Sequence, residues 1–249
     1  LEFRRVLFRS VILIDNCSSD NTAEIMKKWG RNQKNVSFFQ NGQLLSFADN
    51  WNYGLRLAKS KYVHFLAHDD FIHQNFVRTF KRISKKYTDS DAFLFRVSVA
   101  NESGHVQKRG FSLPFEYELN SKLQLRKTIT RNPFNLAGAV FNREKMLEIE
   151  FMNPKYSIWS DWVLWQNILM SGTIVRSLRV ASTYRIHSNV EKKTIRKDLV
   201  NEDFATLTLN QLPIIFNHIK IKPKKQEKLI LALESNILRQ SRIEKDVCN

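Results

Sequence analysis

The residues of this 249-residue chain best suited to chemistry are carboxylates: Asp69 and Asp70 side by side in KYVHFLAHDDF, Asp161 in WSDWVLW, and Asp15 at the end of VILID. Adjacent carboxylates repel, so the Asp69-Asp70 pair is most stable opposite a cation or at a helix start. Two readings of it stand. In one, Asp70 caps a helix that begins near Phe71, marked by Ile72, Phe76, Phe80, Ile83 and Tyr87 at three- and four-residue spacing; such a cap contributes about 1 kcal/mol. In the other, the pair binds a hard divalent metal, Mn²⁺ or Mg²⁺, which takes carboxylate oxygens and leaves positions open for a diphosphate. Asp161 also has two readings. Ser160 can cap a helix whose Val163, Leu164, Ile168 and Leu169 face the core, which makes Asp161 a first-turn acid favoured by the helix dipole. Alternatively, Asp161 is a carboxylate base beside an aromatic platform of Trp159, Trp162 and Trp165 that could bind a sugar ring.

Such side chains act only where the fold holds them. Val11 to Ile14 is an apolar, β-branched run suited to a buried strand, ending at Asp15. The turn-forming cluster Asn16 to Asn21 leads to a helix from about Thr22 to Trp29, with Asp20 or Asn21 as its cap. Val36 to Phe39 reads as a strand, Asn41-Gly42 as a turn, Ser46 to Ala58 as a helix, and Tyr62 to Leu66 as a buried strand. Strands alternating with helices at this spacing predict an α/β fold with a mostly parallel, doubly wound sheet. In such sheets ligands bind beyond the carboxyl ends of the strands, where Asp15 and Asp69-Asp70 both fall. Ala92 to Ala100 is a further strand and Ser121 to Arg131 a helix. Ala137 to Phe141, AGAVF, is small and then apolar, as where a backbone passes close to a ligand. Gly172 closes the Asp161 helix, and Ile174-Val175 and Val180 to Ile186 are short strands. Beyond Val190 the chain turns basic and helical, with segments 198–212 and 224–245 either packed on the domain or lying on a membrane surface.

Composition narrows the function classes. With 43% apolar residues the chain can bury one α/β core plus an appendage. Cys17 and Cys248 lie far apart without metal-type spacing, which predicts a reducing compartment. No run approaches the roughly 18 apolar residues that span a bilayer. The net charge of +16 is spread along the chain, denser only at Lys192 to Lys197 and Lys220 to Lys228, and no nucleic-acid-binding signature accompanies it. A solvated basic surface is the expectation, with contact to anionic phospholipid as the second reading, and nucleic acid is not an expected partner. The first ten residues, LEFRRVLFRS, resemble the conceptual translation of a sequencing adapter and are set outside the fold; without their three arginines and one glutamate the charge is +14.

Taken in order, ILIDNCSSDNT, NWNYGLRLAKSKYVHFLAHDDF, AGAVFNREKM, WSDWVLW and YRIH resemble family 2 glycosyltransferases with the GT-A fold, over about residues 11–190. The resemblance implies a nucleotide-sugar donor, a saccharide or lipid-linked acceptor, and inverting transfer of the sugar to an acceptor hydroxyl in polysaccharide or glycolipid synthesis. It implies that Asp15 contacts the donor's base or ribose, that Asn52 and Gly54 belong to an N-x-G helix on the donor side, and that Asp69 and Asp70 bind the metal. Asp161 matches the catalytic aspartate, with Ser160 where many relatives carry glutamate, and Arg185 and His187 match a segment near the donor phosphates. Ala67 stands where the family's acidic motif usually opens with another aspartate. The family's opening strand, inside the sheet ahead of the equivalent of Val11, has no counterpart in residues 1–10, so the chain as written is expected to be marginally stable and inactive. The expected organisation is residues 1–10 as foreign sequence, 11–190 as the GT-A domain and 191–249 as a basic helical extension, in the cytoplasm or peripheral at the inner membrane face. A metal-dependent nucleotidyl or phosphoryl transferase and a non-catalytic nucleotide-sugar-binding remnant are the competing readings.

Overall fold

The computed structural model describes residues 10–31, 33–108, 111–186 and 197–246. Leu1 to Arg9, with the apolar Val6 to Phe8, lie outside the described residues, as do His187 and Cys248. The chain runs β1 (Val11–Asp15), α1 (Thr22–Arg31), β2 (Val36–Gln40), α2 (Phe47–Leu57), β3 (Tyr62–Val63), β4 (Phe71–Ile72), α3 (Phe76–Lys86) and β5 (Ala92–Ala100). It continues through β6 (Val106–Lys108), β7 (Glu116–Glu118), α4 (Ser121–Lys127), β8 (Ala139–Asn142), α5 (Arg143–Glu148), α6 (Ser160–Ser171) and β9 (Ile174–Arg185). Helices α7 (Lys197–Thr206), α8 (Leu212–His218) and α9 (Pro223–Asp246) follow.

The α/β architecture with flanking helices is the expected one. Its two longest strand pairings, β1 with β2 and β5 with β9, are parallel; the short strands β3, β4, β6, β7 and β8 join antiparallel. Among the described residues the strands fall into a pair, β1-β2, and a seven-stranded sheet along the path β3-β8-β5-β9-β4. Helix α2 lies against both: a Cβ at Gly54 would stand 3.0 Å from Ile14 of β1, and Ala48 and Leu55 join the core that covers β5 and β8 of the larger sheet. Ser46 starts that helix, its hydroxyl accepting from the Asp49 N–H at 3.1 Å.

Side chains along a strand alternate between faces, and both faces of the larger sheet are buried. From β5, Ala92 and Leu94 enter a core with Phe141, Trp165 and Ile174, while Phe93 and Phe95 join Phe76, Val77 and Ile83 of α3 on the other side. That two-sided burial is why β5 reads as a continuous apolar run. The C-terminal helices share the first core: Leu207, Leu212, Ile215, Phe216 and Leu233 are buried in it. They therefore pack on the domain, and Pro213 and Pro223 sit in the first turns of α8 and α9, where a missing N–H is tolerated. Among the described residues no helix is long and apolar enough to cross a membrane.

Three expectations change. The strand expected over Tyr62 to Leu66 is paired only at Tyr62 and Val63; beyond them the run is apolar because Phe65 stacks between Trp51 and Phe151, with ring centroids at 5.0 and 4.7 Å. The strands expected at Ile174-Val175 and Val180 to Ile186 are one strand, β9, irregular where it passes β5. The close approach expected at AGAVF is met by backbone at Gly138. A Cβ on Gly138 would stand 2.7 Å from the Phe95 carbonyl oxygen and from Val97 Cγ2.

That contact yields a prediction. Gly138→Ala should destabilise the fold by about 1–3 kcal/mol through overpacking, lowering Tm by about 2–12 °C for a domain of this size; a thermal unfolding curve that overlays the wild type would contradict it.

Candidate active site

The acidic turn follows β3. Asp70 does not cap a helix: α3 begins at Phe76, with Asn75 at the cap position and no side-chain bond. Phe71 and Ile72 pair instead with Thr183 and Ser182 of β9, and this long-range ladder overrides the helical spacing. The pairing brings the end of β9 against the turn. The Arg185 backbone N–H donates to Asp70 Oδ1 at 3.2 Å, Arg185 Nε donates to the Asp69 carbonyl at 2.8 Å, and the guanidinium lies over the Phe71 ring at 5.1 Å. Burial raises the Asp70 carboxyl to about 6, opposed by the Arg185 N–H and reinforced by the charge of Asp69. Two carboxylates on one turn are hard oxygen donors that fit Mn²⁺ or Mg²⁺ when diphosphate oxygens and water complete the shell. No cluster of three or more metal-ligating side chains occurs among the described residues.

Asp161 stands in the first turn of α6 and borders a cavity of about 190 Å³ lined by Arg131, Asn132, Trp159, Trp162, Asn236 and Ile237, among others. Asp69, Asp70 and Arg185 do not line it. Asn132 Nδ2 donates to Asp161 Oδ2 at 3.0 Å. Burial raises the Asp161 carboxyl to about 6; the N–H of Trp162, then the Asn132 amide and Asp161's own N–H, pull it the other way. The three tryptophans divide. Trp165 is core, packed on Phe134 and Phe141, whereas the Trp159 and Trp162 rings meet at 5.2 Å on the cavity wall. Ser160 is not the cap expected of it: Trp159 holds that position without a side-chain bond, and the Ser160 hydroxyl is buried with no hydrogen-bond partner among the described residues.

Two further expected donor contacts are turned inward. Asp15 is 1% exposed, its carboxylate accepting from the Ser18 N–H at 3.3 Å and from Gln40 Nε2 at 3.2 Å. Asn52 uses both ends of its amide on Met152, donating to its carbonyl at 2.7 Å and accepting from its N–H at 3.0 Å. This amide joins α2 to the chain after α5. His187 lies outside the described residues.

A profile described as Glycosyl transferase family 2 matches residues 7–149. The chain belongs to that family. The matched span holds Asp15, Asn52, Asp69 and Asp70 and stops before Asp161 and Arg185. Among curated proteins this family 2 chain is 21% identical over 159 residues to an uncharacterized glycosyltransferase of Methanocaldococcus jannaschii, covering 61% of this chain and 53% of that protein. It thus spans about half the length of that relative. The fold matches S. aureus TarS 1-349 in complex with UDP-GlcNAc at a TM-score of 0.65 and 15% identity, over 94% of this chain and 65% of that one. A structure of GalNAc-T7 with UDP, GalNAc and Mn²⁺ matches at 0.55 and 15% identity, over 92% and 51%. These likenesses establish the GT-A fold.

The buried carboxylate has a measurable effect on stability. With a folded value near 6 against the ordinary 3.8, the native state holds this proton more tightly than the unfolded chain, so stability falls as pH rises through that window. Asp161→Asn should therefore raise Tm at pH 8 and leave it nearly unchanged at pH 4; an equal effect at both would contradict the desolvated carboxylate.

Proposed function

We propose that this chain transfers a sugar from a nucleotide-sugar donor to an acceptor hydroxyl, inverting the anomeric carbon, with Asp161 as the general base. The observation that carries this reading is the Asp161 carboxylate, held by Asn132 and raised by burial, at the wall of a cavity faced by Trp159 and Trp162 in a family 2 chain. The acceptor that suits a tryptophan-faced cavity is a saccharide, free or lipid-linked, in polysaccharide or glycolipid synthesis. Its hydroxyl passes its proton to Asp161 as the oxygen attacks the anomeric carbon. The bond to the diphosphate breaks on the opposite face, and its electron pair leaves with the nucleoside diphosphate.

Asp69 and Asp70 would hold a divalent ion, which when bound neutralises charge on the departing diphosphate. Arg185, fixed to the same turn by its Nε bond to Asp69, contributes positive charge beside that position. Asp15, at the end of β1, supports the donor site by fixing the turn after it through Ser18 and Gln40.

Hydrolysis of UDP-GlcNAc and other nucleotide sugars, followed by release of the nucleoside diphosphate, tests this reading. Asp161→Asn should leave donor binding intact and lower turnover by about a hundredfold or more, as for a lost acid–base group. The base must be ionised to act, so wild-type turnover should fall as pH drops through about 6. Retained turnover in the variant would remove Asp161 as the base. Separately, calorimetry of UDP with Mn²⁺ should lose its metal-dependent component in Asp69→Ala, and binding that is unchanged would remove the acidic turn as the ion's holder.

A further inference from the structure

We propose that Asp203 is a positioning residue for the active site: its carboxylate holds the Ser157–Trp159 turn and, through that turn, sets where Asp161 stands. Asp203 lies within α7, is 1% exposed, and directs its bonds away from its own helix. Oδ1 accepts the Ser157 N–H at 2.8 Å, and Oδ2 accepts the N–H groups of Ile158 at 2.8 Å and Trp159 at 2.9 Å. Three consecutive backbone N–H groups converging on one anion form a concave nest, an arrangement suited to a fully charged oxygen pair. Among the described residues no Lys, Arg or His pairs with Asp203, so these N–H groups are what hold its charge. The neighbouring titratable group is the Tyr156 phenol, which burial, and then the charge of Asp203, push up to about 12.

The path to Asp161 is short. Trp159 gives its N–H to Asp203 and its carbonyl to the Val163 N–H at 3.0 Å, the opening bond of α6. Asp161 lies between those two anchors, and the Trp159 ring faces the same cavity. Trp159, the residue at the cap position of α6, makes no side-chain capping bond, and its own N–H is held by Asp203 from 44 residues away. Arg131 is the other charged side chain lining the cavity, and it does not touch the turn through any ion pair among the described residues.

The proposal rests on the reading of Asp161 as base, and two of its three tests need no donor. In the wild type the Ile158 and Trp159 amides should exchange with solvent as slowly as interior amides of α6; in Asp203→Asn they should exchange about tenfold faster or more, while Trp165 stays slow. The Asp161 carboxyl, followed by carbon-detected NMR titration, should shift its midpoint downward in the variant as water reaches it. Turnover on UDP-GlcNAc, or on the nucleotide sugar that the chain hydrolyses, should drop about tenfold or more with KM changed less than about threefold, as for a displaced catalytic group. A folded Asp203→Asn protein with unchanged titration and turnover overturns the proposal while leaving Asp161 as the base. Should that variant not fold, fast exchange of Ile158 and Trp159 in the wild type overturns it. Retained turnover in Asp161→Asn overturns the base assignment and the catalytic side of the proposal with it, whatever the exchange shows.

Discussion

Helix α6 is apolar on every side, and that constraint organises the molecule. Trp162, Val163, Leu164, Trp165, Gln166, Ile168 and Leu169 are all buried along it, so no face can meet water and each must be covered by another element. The sheet covers one side through Phe141 and Ile174, and the C-terminal helices cover another through Leu212 and Ile215. Two of its buried polar side chains share one acceptor: Trp162 Nε1 and Gln166 Nε2, one turn apart, both donate to the Thr128 carbonyl, at 2.7 and 2.9 Å. A buried donor without a partner is costly, so this carbonyl fixes how α6 turns about its axis. The first turn of the helix, with Asp161, then opens at the edge of the core.

The two carboxylates lifted to about 6 are compensated in different ways. Asp70 meets a cation, taking the Arg185 N–H beside its guanidinium charge and bearing the repulsion of Asp69. Asp161 meets neutral donors only, the Trp162 N–H, the Asn132 amide and its own N–H. A group ringed by neutral dipoles keeps its affinity for a proton, as a base requires, whereas one placed beside fixed charge is better suited to a ligand that brings charge of its own. The division of labour proposed for the two sites thus rests on what surrounds each carboxylate and not on the residue type.

What the sequence disclosed about the fold was mostly local. The β1, β2 and β5 strands, the start of α2 near Ser46 and the Gly172 stop of α6 were legible because apolar runs and helix-ending residues act within a few positions. The misreadings share a cause. Phe71-Ile72 carries helical spacing yet forms a strand because Ser182 and Thr183 offer it a ladder. Likewise no local pattern shows that Met152, a hundred positions on, bonds both ends of the Asn52 amide. Asp203 had no visible signal at all, since an aspartate within a polar helix looks solvated until the turn it holds is placed beside it. For the site, the carboxylates could be picked out by type and spacing, while their partners Asn132 and Arg185 came together only through tertiary contacts.

The core shared by α6 and the C-terminal helices bears on how such chains can be recombined. Leu207, Leu212 and Ile215 are fully enclosed against residues contributed by the front of the molecule. A tail taken from a homologue would arrive with side-chain volumes shaped to a different α6, and interiors this dense tolerate little change in shape. Crossover points that preserve folding should therefore lie ahead of α6, so that this helix and α7 to α9 descend from one parent. The cavity wall near Trp159 and Asn236, where the acceptor is proposed to bind, would then be inherited as a single block, separately from the acidic turn at Asp69.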